Sequence, residues 1–173
     1  MKMINWHPTS IDDCYIQTIP LFDDNRGWFT ELYTKEFAQI NCSFSYKNVV
    51  RGIHISPFNK LITCIRGHIW DVVIDLRVNS DTYLKQTFSE FSEREFKQIY
   101  IPKGCGHGFF AYEDSVLVYA QTKKYNRAKE KRVFWLDKTL NISWPYSNNY
   151  ILSQQDLAAE RLEYLDRCCG WVR

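Results

Sequence analysis

The sequence predicts an all-β fold closed as a sandwich or small barrel, on three observations. Short β-type apolar runs dominate the 173 residues. Turn residues punctuate them at intervals of about eight to twelve positions. A clear helical period appears only near the carboxy-terminal end.

In chain order, residues 16–21 read as a first short strand. Residues 27–33 read as a second, after the turn-forming run Asp23-Asp24-Asn25-Arg26-Gly27. Residues 34–39 allow one or two helical turns at most. Strands follow at 41–45, 49–55 and 61–65, the last running into the turn Arg66-Gly67. Residues 68–76 form the next, with Ile69, Val72 and Ile74 among their apolar positions. Residues 85–90 are another strand. Ser92 and Glu95 have capping-box spacing and suggest a capped turn. Residues 98–101 stop at Pro102-Lys103-Gly104, and the run Gly106-His107-Gly108-Phe109-Phe110-Ala111 comes next without an assigned element. Alternation makes 115–122 strongly β. Residues 154–166 carry the helical period, with Leu157, Leu162 and Leu165 on one side. A single domain spanning 1–173 is expected, a cupin-type jelly-roll barrel with a short C-terminal helical segment. Residues 160–173 carry no motif, and docking onto the barrel or a partner is their default expectation.

Charge is nearly balanced, with 22 basic and 20 acidic residues. Lys123-Lys124 and Lys129-Glu130-Lys131-Arg132 are short and interrupted, so no nucleic-acid footprint is expected. No apolar run approaches the roughly 18 residues of a membrane span, and no signal-peptide h-region opens the chain. The expected setting is the cytoplasm, with no membrane partner. The six cysteines show no C-x-x-C spacing, and several sit in apolar runs, which reads as buried reduced thiols.

Four histidines are present, and three of them bear on function. His54 closes Arg51-Gly52-Ile53-His54, His107 lies between Gly106 and Gly108, and His68 opens a strand and reads as structural. A metal cupin would offer a second histidine at position 56 and a glutamate soon after. Position 56 is serine and no glutamate follows before Glu90, so no metal site is expected. His54 and His107 can still be hydrogen-bonded interior histidines without chemistry. The flanking Gly52, Gly106 and Gly108 favour close approach of a ligand instead. Proton removal beside a ketone needs a base, an opposing acid and a cation for the enolate oxygen. His54, Tyr119 and the pair Lys60 and Arg51 offer those types, although a strand tyrosine alone is more often core.

From Phe22 to about Ala159 the motifs follow one known pattern in order and spacing. They are Asp24-x-Arg26-Gly27-x-Phe29-x-Glu31, Gln39-x-Asn41-x-Ser43-x-Ser45, Val50-Arg51-Gly52-Ile53-His54 and Lys60-Leu61. Further on come Gly67-x-x-x-Asp71-Val72-x-x-Asp75-Leu76-Arg77, Ile101-Pro102-x-Gly104-x-x-His107-Gly108-Phe109, Trp144-Pro145 and Leu152-Ser153-x-x-Asp156. In these the chain closely resembles the dTDP-4-dehydrorhamnose 3,5-epimerases, metal- and cofactor-free cupins of deoxysugar biosynthesis that serve lipopolysaccharide and capsule assembly.

The resemblance implies a nucleotide-diphosphate 4-keto sugar as substrate. It implies that His54 is the base, oriented by Asp156, that Tyr119 is the acid, and that Lys60 stabilises the enolate. It places His107 with Asp71 behind the site. Arg51 would bind the pyrophosphate with Arg26; Gln39, Asn41, Tyr125, Phe29 and Glu31 would hold the nucleotide and sugar. It further implies a homodimer with exchanged N-terminal strands, in which Arg26, Phe29 and Glu31 act across the interface. The chain departs from the pattern in shorter stretches between Glu31 and Gln39 and between His54 and Lys60. It also has Ile55-Ser56 where an aromatic-Gln pair is usual, and Asn126-Arg127 where proline is common after the tyrosine. The proton-transfer set is complete, whereas the departures fall near nucleotide and sugar. A single-centre epimerase on another sugar nucleotide, such as a GDP-4-keto-6-deoxyheptose, is one alternative. A binding cupin without turnover is another.

Overall fold

Alternating inward and outward residues build two antiparallel sheets that face one another. The computed structural model describes residues 6–33 and 35–168. The first half of the chain supplies β1 (His7–Pro8), β2 (Tyr15–Thr18), β3 (Phe22–Asp24), β4 (Gly27–Phe29), β5 (Gln39–Ser45), β6 (Val50–Ile55) and β7 (Lys60–Arg66). The second supplies β8 (His68–Asp75), β9 (Gln86–Ser92), β10 (Lys97–Ile101), β11 (Cys105–Ala111), β12 (Ser115–Gln121) and β13 (Lys131–Arg132). One sheet has the order β1-β2-β10-β7-β12-β5, the other β13-β6-β11-β8-β9. Among the described residues hairpin β3-β4 forms a separate two-stranded sheet. This is the jelly-roll, cupin-like architecture expected.

The layer between the sheets is apolar at one end. Ile62, Cys64 and Leu117 of the six-stranded sheet meet Ile69, Val73 and Phe109 of the five-stranded sheet. The outer face of the five-stranded sheet is covered as well, since Val72, Ile74 and Ile53 pack under Val133, Leu140 and Leu162. Strands buried on both faces lose the alternation that makes a strand recognisable. That is why β11, buried at every position, was not assigned from sequence.

Three other expectations are corrected. The strand expected at 27–33 ends at Phe29, opposite Phe22 where the hairpin partner β3 begins, so no strand is left to pair beyond it in the hairpin. Apart from Thr34, which lies outside the described residues, 35–38 form bends and no helix. The helix expected over 154–166 is two pieces, α1 (Gln154–Leu157) and α2 (Leu162–Cys168). Between them Glu160 forms a bridge to Val133, and its carbonyl accepts from the Phe134 amide at 2.8 Å, so the backbone is drawn off the helical path. The turn at 92–95 closes through the Ser92 carbonyl, which accepts from the Glu95 and Phe96 amides, both at 3.3 Å.

Cys14, Cys64 and Cys105 are buried free thiols, and burial pushes Cys14 and Cys64 up to about 12. Such thiols are inert as nucleophiles. Cys42 is free and exposed. Cys169 and the rest of 169–173 lie outside the described residues. No helix among the described residues is long and apolar enough to cross a membrane.

Candidate active site

The polar residues of the interior gather at the other end of the layer, where Lys60, Tyr119 and Gln121 replace apolar side chains. On the five-stranded sheet, His54 and His107 are direct partners across β6 and β11. Partners in an antiparallel ladder present side chains to the same face. Each histidine meets a carboxylate: His54 Nε2 lies 2.7 Å from Asp156 Oδ1, and His107 Nε2 lies 2.7 Å from Asp71 Oδ2. The His107–Asp71 pair is buried, while the His54 side chain keeps 24% of its exposure. His54 therefore borders accessible space and His107 stands behind it.

Asp156 is delivered by α1. Ser153 caps that helix, its hydroxyl accepting from the Asp156 amide at 3.1 Å. Burial alone would raise the Asp156 carboxyl. The hydrogen bond and charge of His54, with Ser153 and Arg132, outweigh burial and hold it below its ordinary value. An ionised Asp156 accepts Nε2–H and leaves Nδ1 of His54 as the nitrogen with a free lone pair.

The opposite wall is the six-stranded sheet. Tyr119 Oη is 3.0 Å from Ser43 Oγ on β5. Burial pushes the Tyr119 phenol up to about 12, against the lowering effects of Ser43 and Arg51, so it carries its proton at neutral pH. Lys60 is buried, and that burial pulls its ammonium below the ordinary value despite the opposing pull of Glu130 and Asp71. Among the described residues Asp71 Oδ1 and Gln121 Oε1 are buried acceptors without a protein donor.

The residues expected on the nucleotide side line the rim. Arg51 Nε donates to Ser45 Oγ and an Nη to the Phe44 carbonyl, both at 3.0 Å, which fixes the guanidinium fork. Gln39 donates to Asn41 Oδ1 at 2.7 Å, and its own Oε1 accepts from the Tyr125 amide at 2.8 Å. The Tyr125 hydroxyl reaches Glu130 Oε2 at 3.2 Å. By contrast, Arg26, Phe29 and Glu31 are not brought to the interior of their own chain. Arg26 is paired with Asp24 at 2.6 Å on the exposed hairpin, and Phe29 is 62% exposed. Glu31 borders a cleft of about 690 Å³ with Tyr15, Gln98, Tyr100 and Leu61. Those residues lie on the outer side of the six-stranded sheet, away from His54.

The glycines beside the histidines have a different use from the one expected. A Cβ on Gly106 would lie 2.7 Å from Ile53 Cγ2, and one on Gly108 2.8 Å from Ile53 Cδ1. Gly52, at φ +130°, would bring a Cβ 2.6 Å from Gly108 Cα. They admit the protein's own outer layer and the neighbouring strand, not a ligand. His68 pairs with Glu90 at 3.1 Å on the surface, consistent with a structural role. Among the described residues no group of three or more His, Cys, Asp or Glu side chains is placed to hold a metal ion.

Sequence reading gave no role to Ser43, Glu130 or Arg132. The last two belong to the charge run that was weighed only as a nucleic-acid footprint and set aside as short and interrupted. In the fold β13 pairs with β6, bringing Arg132 opposite His54.

A family model described as dTDP-4-dehydrorhamnose 3,5-epimerase matches residues 8–164. A protein of that name from Shigella flexneri is 34% identical over 169 residues, covering 88% of this chain and 93% of its own length. The crystal structure of dTDP-6-deoxy-D-glucose-3,5-epimerase from Legionella pneumophila Philadelphia 1, in complex with dTDP-4-keto-L-rhamnose, superposes with a TM-score of 0.89. The two are 31% identical, with 94% of this chain and 95% of that one covered. The 3'-monoepimerase ChmJ from Streptomyces bikiniensis, in complex with dTDP-quinovose, gives 0.88 at 29% identity, covering 93% and 89%.

Proposed function

The chain belongs to the dTDP-4-dehydrorhamnose 3,5-epimerase family of isomerases, and from that premise we propose that it inverts C3, C5 or both in a dTDP-linked 4-keto-6-deoxy sugar. Both carbons are α to the C4 ketone, so each proton can leave with its electron pair delocalised onto the carbonyl oxygen. His54, held by Asp156, takes the proton. Lys60 faces the developing enolate, where a poorly solvated cation is most effective. Tyr119 returns a proton from the other side and inverts the centre. His107 and Asp71 support the base from behind.

One observation carries the reading. The His54–Asp156 pair is held on the five-stranded sheet while a protonated Tyr119 stands on the six-stranded sheet. Base and acid thus approach a bound ring from opposite walls, which is what inversion requires. Arg51 is the anchor for the pyrophosphate, since a planar fork matches phosphate oxygens. Gln39, Asn41 and Tyr125 hold the nucleoside side of the rim. No nucleic acid, membrane, metal or redox cofactor enters the reaction, and the chemistry suits the cytoplasm, where nucleotide sugars are made.

Incubation with dTDP-4-keto-6-deoxyglucose in D₂O is expected to place deuterium at C3, C5 or both, read by proton NMR. Absence of exchange with this substrate and with a GDP-linked 4-keto sugar would end the reading. Exchange at one carbon alone would favour the single-centre alternative, which the likeness to a 3'-monoepimerase supports.

The exposed hairpin favours a homodimer with exchanged N-terminal strands. Phe22, Trp28 and Phe29 of β3-β4 are each more than half exposed, and among the described residues Arg26 has only Asp24 as partner. In such a dimer Arg26, Phe29 and Glu31 complete the partner's site. Mixing inactive R26A and H54A proteins after joint refolding is then expected to restore about a quarter of the wild-type rate, from hybrid dimers with one intact site. Activity that never exceeds the two variants' own residual rates would show that Arg26 serves its own chain.

A further inference from the structure

We propose that Arg132 is a positioning residue that sets the charge balance of the His54–Asp156 pair and ties it to the nucleotide rim. The proposal rests on the reading of His54 as the base. Arg132 is the ladder partner of His54 on the adjacent strand. Its Nε lies 3.4 Å from Asp156 Oδ1, the same oxygen that binds His54 Nε2 at 2.7 Å. The buried Nε–H makes no hydrogen bond of good geometry, so it acts on that oxygen through charge. The other end of the guanidinium donates to Glu130 Oε2 at 3.1 Å, and that oxygen also accepts from the Tyr125 hydroxyl. The side chains of Arg132, Glu130 and Asp156 keep only 21%, 10% and 4% of their exposure, so solvent screens little of this interaction.

The physical consequence follows from the shared oxygen. A carboxylate facing only His54 stabilises the imidazolium and holds the base in its protonated, useless form. A fixed cation beside the same oxygen offsets part of that field, so the pair keeps its orienting hydrogen bond while the imidazole remains able to accept a proton. The other charged groups around the interior are Arg51 on β6, Lys60 on β7, Asp71 on β8, His107 on β11 and Glu130 ahead of β13. Among these, none shares an oxygen with the dyad as Arg132 does. Because Glu130 Oε2 links the guanidinium to the Tyr125 hydroxyl, a nucleotide seated against Tyr125 would also steady the base.

The test compares R132Q and R132K with wild type by two measurements. In the free protein, NMR titration of the four histidine rings, with His54 identified by its loss in H54Q, needs no substrate. The His54 transition is expected to move upward by about one pH unit in R132Q and to stay near wild type in R132K, which retains the charge. In the exchange assay, the acid limb of kcat/KM for R132Q should move to higher pH by the same amount. The rate should recover as pH rises, with KM changing less than kcat. A residue with a merely structural role would lower the rate at every pH and leave both transitions in place. That result, or R132K behaving as R132Q does, would overturn the proposal. Failure of wild type to exchange would remove the epimerase reading while the ring titration still decides the charge coupling.

Discussion

Replacing His54 by alanine is expected to lower the rate of ring-proton exchange by about 10²- to 10⁴-fold while the protein stays folded and retains nucleotide-sugar binding. Structure gives the reason these effects separate. The ladder bonds of β6 come from backbone groups, and His54 itself is only partly buried. Its loss leaves Asp156 with Arg132 still 3.4 Å away, so the buried carboxylate keeps a counter-charge. The stability cost should be limited to about 1–3 kcal/mol, the range for one orphaned polar partner. Y119F provides the complementary result. The base remains, so deuterium can still enter the substrate, but inverted product should not accumulate without the opposing acid. An H54A protein that unfolds would make the histidine structural. An H54A protein with wild-type exchange would remove it from the mechanism.

Replacing Gly52 by alanine is expected to be the most damaging small substitution, costing more than about 4 kcal/mol. Gly52 holds φ +130°, a region that side chains avoid, and the new Cβ would run into the backbone of β11. It would lie 2.6 Å from Gly108 Cα and 2.9 Å from the His107 carbonyl oxygen. Neither atom can move without parting β6 from β11, the pairing that sets His54 beside His107. Gly27 offers a control, because φ is +127° there but nothing lies within 4 Å of its added Cβ. G27A should show backbone strain alone, about 1–2 kcal/mol. Thermal melts separate the two, since a chain of this size loses roughly 2–4 °C per kcal/mol. A G52A melting point no lower than that of G27A would contradict the close-packing account.

Legibility of the sequence followed the physics of each strand. Alternation in the sequence revealed Ser115–Gln121, although most of its positions are buried, and Gln39–Ser45, half-exposed in the fold, was read from residue 41 onward. Cys105–Ala111, covered on both sides, has no such pattern. The helix signal at 154–166 was real but local. The bridge of Glu160 to Val133 overrode it, and a contact across that sequence distance leaves no periodic trace. The family was legible through the order of many motifs, which also brought the candidate residues His54, Asp156, Tyr119 and Lys60 to notice together. Arg132 and Glu130 were not, because an alternating charge run looks the same whether it is solvated or folded against a carboxylate. The glycines were noticed for the wrong reason, since a close approach by the chain's own side chains calls for the same residue as an approach by a ligand.

The capping turn that delivers Asp156 has a temporal consequence. Both sheets hold all their strands by Arg132, yet the base and its carboxylate are 102 positions apart. During synthesis the barrel can close before residue 156 has left the ribosome. The unfinished protein then holds a scaffold with an unaligned imidazole. In the proposed mechanism His54 becomes an aligned base only when the turn from Ser153 to Asp156 settles against β6, so strand pairing and readiness for proton transfer are separate events in folding.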